Sequence, residues 1–163
     1  GMLRKVEQAQ AKWGGASQVI DAWLNARKQL LIAYCELAGL PPYDKVDRSL
    51  PAAPKISQFC EQLVDYVSTG HFEIYDLLVS DDEAGQALKQ TVYPQLADTT
   101  DATLQFNDDF SAEIQLGKAA AFEQAIAGLG EVLAQRFELE DQLISHMFEA
   151  HGEKTIAEVE QKP

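Results

Sequence analysis

Apolar residues recur along this chain at intervals of three and four, the period of a helix that buries one face. From Ala16 to Ala38 the stripe is Ile20, Leu24, Arg27, Leu31, Tyr34 and Ala38, entered after Gly14-Gly15 and ended by Gly39. From Lys55 to Val79 it is Ile56, Cys60, Leu63, Val67, Gly70, Ile74 and Leu77. From Lys118 to Ala150 it is Phe122, Ile126, Leu129, Leu133, Arg136, Leu143 and Met147, with Gly152 as the expected stop. A short helix is expected over 3–13. Ser80-Asp-Asp-Glu83 reads as a capping box that opens another helix. Pro94 is expected to break or kink that helix, leaving a further one over 94–109 and a loop over 110–117. Pro41, Pro42, Pro51 and Pro54 make 39–54 a long loop. No alternating strand pattern, Asn-Gly or Asp-Gly hairpin, or solenoid-period repeat is present. The expected fold is all-α: an antiparallel four-helix bundle with additional short helices and one long Pro-rich crossover loop. Residues 2–152 are expected to form one domain, with 153–163 as a polar, fraying tail.

Composition supports a folded domain, since 46% apolar and 24% charged residues over 163 positions leave enough to build a core. Gly1 ahead of Met2 reads as an expression remnant. No apolar run approaches the roughly 20 residues that span a bilayer, and no signal peptide opens the chain. A cytoplasmic protein with Cys35 and Cys60 as free thiols is expected.

Charge narrows the partner. The net charge is −13, and it is uneven: residues 1–60 hold 8 basic and 5 acidic residues, while 61–163 hold 5 and 21. Direct nucleic-acid binding needs a basic footprint, so it is not expected. The acidity either keeps the chain dissolved or draws in a basic partner.

The chemistry-bearing motifs of helical bundles are missing. There is no Glu-x-x-His pair for a di-iron site, no Cys-x-x-Cys and no Gly-rich phosphate loop. His71, His146 and His151 lack metal-ligand spacing, and Ser145-His146 is poorly placed for a nucleophile and its base. The expectation is no metal, no cofactor and no catalysis.

What stands out is polar residues on apolar stripes. Arg27 lies between Leu24 and Leu31, with Asp21 and Lys28 nearby. Asp65, Ser68, Phe72 and Tyr75 share one face at α-helical spacing, with His71 beside them. Arg136 and Glu140 are i, i+4 neighbours on the last helix. A buried arginine needs a partner, and Asp65 is the carboxylate expected to supply it. Two readings follow: a buried ion pair that fixes helix register, or a polar groove that receives a partner. Trp23, Phe72 and Tyr75 fit either, as core or as binding hot spots.

At these residues the chain resembles a known family. The runs IDAWLNARKQLLIAYCELAGLPP (20–42), FCEQLVDYVSTGHFEIY (59–75) and LGEVLAQRFELEDQLI (129–144) are similar to three helices of the Rsd/AlgQ family, bacterial regulators of the housekeeping sigma factor. The resemblance implies an all-α bundle that acts as an anti-sigma factor. It would bind chiefly region 4 of that sigma factor, the helix-turn-helix that reads the promoter −35 element and docks on RNA polymerase. Core enzyme would then be left to alternative sigma factors, typically in stationary phase. The expected interface is Asp21, Trp23, Leu24, Arg27, Asp65, Ser68, Phe72 and Tyr75, with Lys28, His71, Arg136 and Glu140 as a polar core or groove. A monomer is expected, though a dimer through an apolar face is compatible with the pattern. Two other classes compete. One is a bundle that modulates a metabolic or stress-signalling enzyme through the same face. The other is a ligand-binding or catalytic bundle using Arg27, Asp65, Ser68 and His71.

Overall fold

The computed structural model describes residues 18–44, 50–111 and 119–160. The expected helix over 3–13 lies outside them, as does most of the expected 110–117 loop. The described elements are α1 (Gln18–Ala38), α2 (Ala53–Thr69), a π-helical turn (Gly70–Ile74), α3 (Tyr75–Leu78), α4 (Glu83–Phe110) and α5 (Ala119–Glu160). No strand occurs among the described residues.

Paired contacts give the topology. Trp23 meets Tyr66 while Tyr34 meets Phe59, so α1 and α2 run antiparallel. Phe59 meets Phe106 while Tyr75 meets Tyr93, which sets α4 against α2 in the same way. Phe122 meets Phe106 and Phe110 while Arg136 bonds Thr99, so α5 runs against α4. Tyr34 Oη donates to the Ile126 carbonyl at 2.7 Å while Arg27 pairs with Glu140, closing α5 back onto α1. The result is an up-down-up-down four-helix bundle. Its core is aromatic at one end, around Tyr34, Phe59, Phe106, Phe110 and Phe122, and polar further along.

Local chemistry sets the element ends. Gly39 closes α1 in the left-handed conformation (φ 69°). Its N–H reaches the Glu36 carbonyl, and the Leu40 N–H reaches Cys35 at 3.0 Å, which together make a Schellman motif. The Pro-rich segment then joins α1 to its neighbour α2, with Pro54 in the first turn of α2, where a missing N–H costs nothing.

Five expectations are corrected. Asp82, not Ser80, caps α4, accepting from the Gly85 N–H at 2.9 Å. Ser80 instead donates to Asp82 at 2.6 Å, and these two bonds hold the Asp82 carboxyl below its ordinary range. Pro94 does not divide the helix, which runs unbroken from Glu83 to Phe110. The lost bond is outweighed because Val92, Leu96, Thr99, Thr103 and Phe106 bury one continuous face on either side of it. Phe110 is therefore the last residue of α4, not the start of a loop. Gly152 does not stop the last helix, which continues to Glu160, because glycine costs a helix only about 1 kcal/mol unless an αL turn follows. Finally, the Lys55–Val79 stripe is not one α-helix, since the π-turn interrupts it at Gly70.

Replacing Gly39 with alanine forces a Cβ into the left-handed region without any clash, since nothing lies within 4 Å of that Cβ. Gly39→Ala is expected to lower unfolding stability by about 1–2 kcal/mol in a urea titration at unchanged helix content, with Gly39→Asn costing less.

Candidate functional site

The polar residues predicted on the core stripes converge in the bundle interior. Arg27, Arg136 and Glu140 are all 0% exposed. Arg27 is held by three groups: Nε donates to Tyr66 Oη at 3.2 Å, Nη2 to Glu140 Oε1 at 3.0 Å and Nη1 to Asp141 Oδ1 at 2.7 Å. Its guanidinium lies over the rings of Phe137 and Trp23, at 4.9 and 5.3 Å from their centroids. Trp23 in turn stacks in parallel on Tyr66 at 5.9 Å.

Glu140 is the hub. Its Oε1 accepts from Tyr66 Oη and Arg27, and its Oε2 accepts from Tyr75 Oη at 2.6 Å. Arg136 Nε sits 3.3 Å from the same Oε2. The rest of the Arg136 fork donates to the Thr99 and Thr100 hydroxyls at 3.1 and 2.8 Å, and to the Val67 carbonyl. Two guanidinium groups thus face two carboxylates, Glu140 and Asp141, and the charges cancel. Burial and the Glu140 charge both favour the neutral phenol, so Tyr66 and Tyr75 are pushed well above the ordinary tyrosine value. The buried Trp23 indole N–H has no acceptor among the described residues.

Asp65 is not the partner of Arg27. It points to solvent, while its neighbour Tyr66, about 100° further round the helix, points in. The carboxylates come from α5 instead. Asp65, Ser68, Phe72 and Tyr75 also do not form one face. The π-turn inserts one residue per turn, with the Tyr75 N–H reaching back to the Gly70 carbonyl. That lag carries Tyr75 inward to Glu140 and turns Leu77, expected in the core, outward to 56% exposure.

The expected interface therefore separates into two layers. Trp23, Leu24, Arg27 and Tyr75 are buried. Asp21, Lys28 and Ser68 are half-buried, and Asp65 and His71 are exposed. Phe72 is 80% exposed, with the His71 ring edge-on to it at 4.7 Å. On the same stretch of chain Glu61, Asp65, Glu73 and Asp76 are exposed acids and no lysine or arginine occurs from 56 to 79, although Lys89 of α4 lies 3.7 Å from Asp76.

A second surface feature lies on α5. Glu138, Asp141, Gln142, Ser145, His146 and Glu149 line an open depression of about 410 Å³. Its inner edge is Asp141, the outermost member of the buried network. The Ser80 N–H donates to His146 Nε2 at 3.2 Å, and the Ser80 hydroxyl lies 2.7 Å from that nitrogen. Asp82 bonds the serine, not the imidazole, so these three do not form a hydrolytic triad. Among the described residues, no three His, Cys, Asp or Glu side chains are arranged to hold a metal ion, and no helix is long and apolar enough to cross a membrane.

Tyr66, Asp141, Thr99 and Thr100 belong to the network but were not singled out from the sequence. A signal existed for Thr99, which shares a buried face with Leu96, Thr103 and Phe106 at helical spacing. For Tyr66 there was none, because a tyrosine on an apolar stripe reads as core.

Two outcomes follow. Glu140→Ala leaves the buried Arg136 without its carboxylate and Arg27 with Asp141 alone, and is expected to cost about 3–5 kcal/mol in chemical unfolding. For the tyrosines the native state holds protons that the unfolded state releases. Their stabilisation is full below the ordinary value near 10 and falls as pH rises past it. Ultraviolet titration of the native protein should leave these two phenols un-ionised until the fold is lost. Smooth ionisation of all tyrosines before unfolding would contradict the burial.

Comparison with known proteins adds to this geometry. Residues 2–148 match the family described as "Regulator of RNA polymerase sigma(70) subunit, Rsd/AlgQ". The chain is 36% identical over 166 aligned positions to the protein named "Regulator of sigma D" from Yersinia pseudotuberculosis serotype O:1b, covering 99% of this chain and 98% of that one. It is 40% identical to the Yersinia enterocolitica protein of the same name, over 88% of each chain. With that of Sodalis glossinidius it shares 38% identity, over 91% of this chain and the whole of the other.

Proposed function

The chain belongs to the Rsd/AlgQ family of regulators of the RNA polymerase sigma(70) subunit, a family of regulators and not of catalysts, and from that premise we propose that it is an anti-sigma factor whose docking face is the outer side of α2 and the π-turn. Its partner is the housekeeping sigma factor, engaged chiefly through region 4. Binding there covers the helix-turn-helix that reads the −35 element and the surface that docks on core polymerase. Holoenzyme assembly is thereby blocked.

The observation that carries this reading is Phe72, a phenyl ring 80% exposed on a turn fixed from beneath. Aromatic side chains presented at low entropic cost are what binding hot spots are made of. The same segment exposes Glu61, Asp65 and Glu73, with Asp76 paired to Lys89, and this net acidity suits a partner that is itself basic because it reads DNA. Asp65, Ser68 and Phe72 make the direct contacts, with Asp21 at the margin. Trp23, Leu24, Arg27 and Tyr75 support that face from inside.

The test is calorimetric titration with the organism's housekeeping sigma factor and with region 4 alone. Both should bind. Phe72→Ala is expected to weaken binding by roughly 30-fold or more, the loss of about 2 kcal/mol that marks a hot spot, with helix content unchanged. Association should also slow between low salt and about 0.5 M, as screening shortens the reach of the acidic face. Binding to full-length sigma factor but not to region 4 moves the epitope. Binding to neither, by a folded chain, removes the anti-sigma reading and favours a regulator of another enzyme.

A further inference from the structure

We propose that the π-turn positions the sigma-factor contact, and that Tyr75 and Gly70 are positioning residues which hold it in the form that displays Phe72. This rests on the docking face described above and adds to it the device that builds that face. In an uninterrupted α-helix each residue advances about 100°. The extra residue of the π-turn shifts everything beyond it by about that angle relative to α2. Leu77, which continues the α-helical stripe of Ile56, Cys60, Leu63, Val67 and Gly70, is thereby sent outward, and Tyr75 is brought in.

Such a turn persists only where its surroundings hold it. Here the hold is specific. Tyr75 Oη donates to Glu140 Oε2 at 2.6 Å, and the Arg136 guanidinium lies 5.6 Å from the centre of its ring. The Tyr75 ring also fills the space that Gly70 leaves open. A Cβ at position 70 would stand 3.0 Å from Tyr75 Oη, 3.1 Å from Cζ and 3.3 Å from Cε1. The first residue of the turn is small because the first residue beyond it folds back over it. Phe72 is midway between these two anchors. Among the described residues its ring contact is with its neighbour His71, and the buried network reaches it through the backbone of the turn.

Tyr75→Phe removes the bond to Glu140 at almost constant shape, and Gly70→Ala keeps the hydroxyl but displaces it and its ring, since the new Cβ would stand 3.0 Å from Oη. Each is combined with Phe72→Ala in a double-mutant cycle, read by calorimetry against the housekeeping sigma factor. Amide hydrogen exchange of the free protein is measured in parallel. Each single variant is expected to weaken binding about tenfold. Each double variant should bind no more weakly than Phe72→Ala alone, because positioning a ring that is gone has no value. Exchange at amides 71–75 should rise about tenfold in both variants while α1 and α4 keep their protection. Losses that simply add, or a turn whose exchange is unchanged, overturn the proposal. If the wild-type chain fails to bind sigma factor, the docking reading fails and the positioning role falls with it. Wild-type binding with additive losses overturns the positioning role alone.

Discussion

A carboxylate with no exposed surface has to be satisfied entirely from within, and Glu140 imposes that condition on the whole bundle. Its two oxygens are met by Arg27 from α1, Tyr66 from α2, Tyr75 from α3 and Arg136 from its own helix. Arg136 carries the condition on to Thr99 and Thr100 of α4. Apolar packing alone would tolerate a helix sliding by a turn or rotating by a fraction of one. A carboxylate that needs a donor from each direction does not, since every slip leaves a charge buried and unpaired, at a cost of several kcal/mol. The register of the five described α-helices is therefore fixed at one point, and the aromatic cluster around Phe59, Phe106 and Phe122 fills the opposite end without needing to specify it.

The general architecture was legible because three of the four long helices carry strong apolar stripes and a Pro-rich gap separates the first two. The errors lie where a local signal met a tertiary one. Pro94 reads as a break, yet the apolar face of α4 is continuous across it. Ser80 reads as a cap, yet Asp82 has the shorter path to the Gly85 N–H, and Ser80 is drawn toward His146. Gly152 reads as a stop, but nothing in its own propensity forces a left-handed turn.

The site was half legible. A stripe position occupied by Arg27, and the i, i+4 pair Arg136 and Glu140, announced a buried ionic cluster. Its wiring could not be read, because the partner of Arg27 lies more than a hundred residues away, on a helix whose rotation is set only in the folded bundle. The π-turn was invisible for a similar reason. Gly70 hinted at an irregularity, but nothing local states that one extra residue enters the turn, so Asp65, Ser68, Phe72 and Tyr75 looked like one face. The structure divides them into an exposed phenyl ring at Phe72 and a buried phenol at Tyr75.

The central claim is that a charge-satisfied interior presents an aromatic, acid-rimmed face to the sigma factor. It is tested most directly by mapping hydrogen exchange across the chain with and without the housekeeping sigma factor at saturating concentration. The account predicts added protection centred on the π-turn and the outer side of α2, from Asp65 to Asp76, with the depression between Glu138 and Glu149 unchanged. Protection confined to that α5 surface, with the π-turn exchanging as in the free protein, would contradict it.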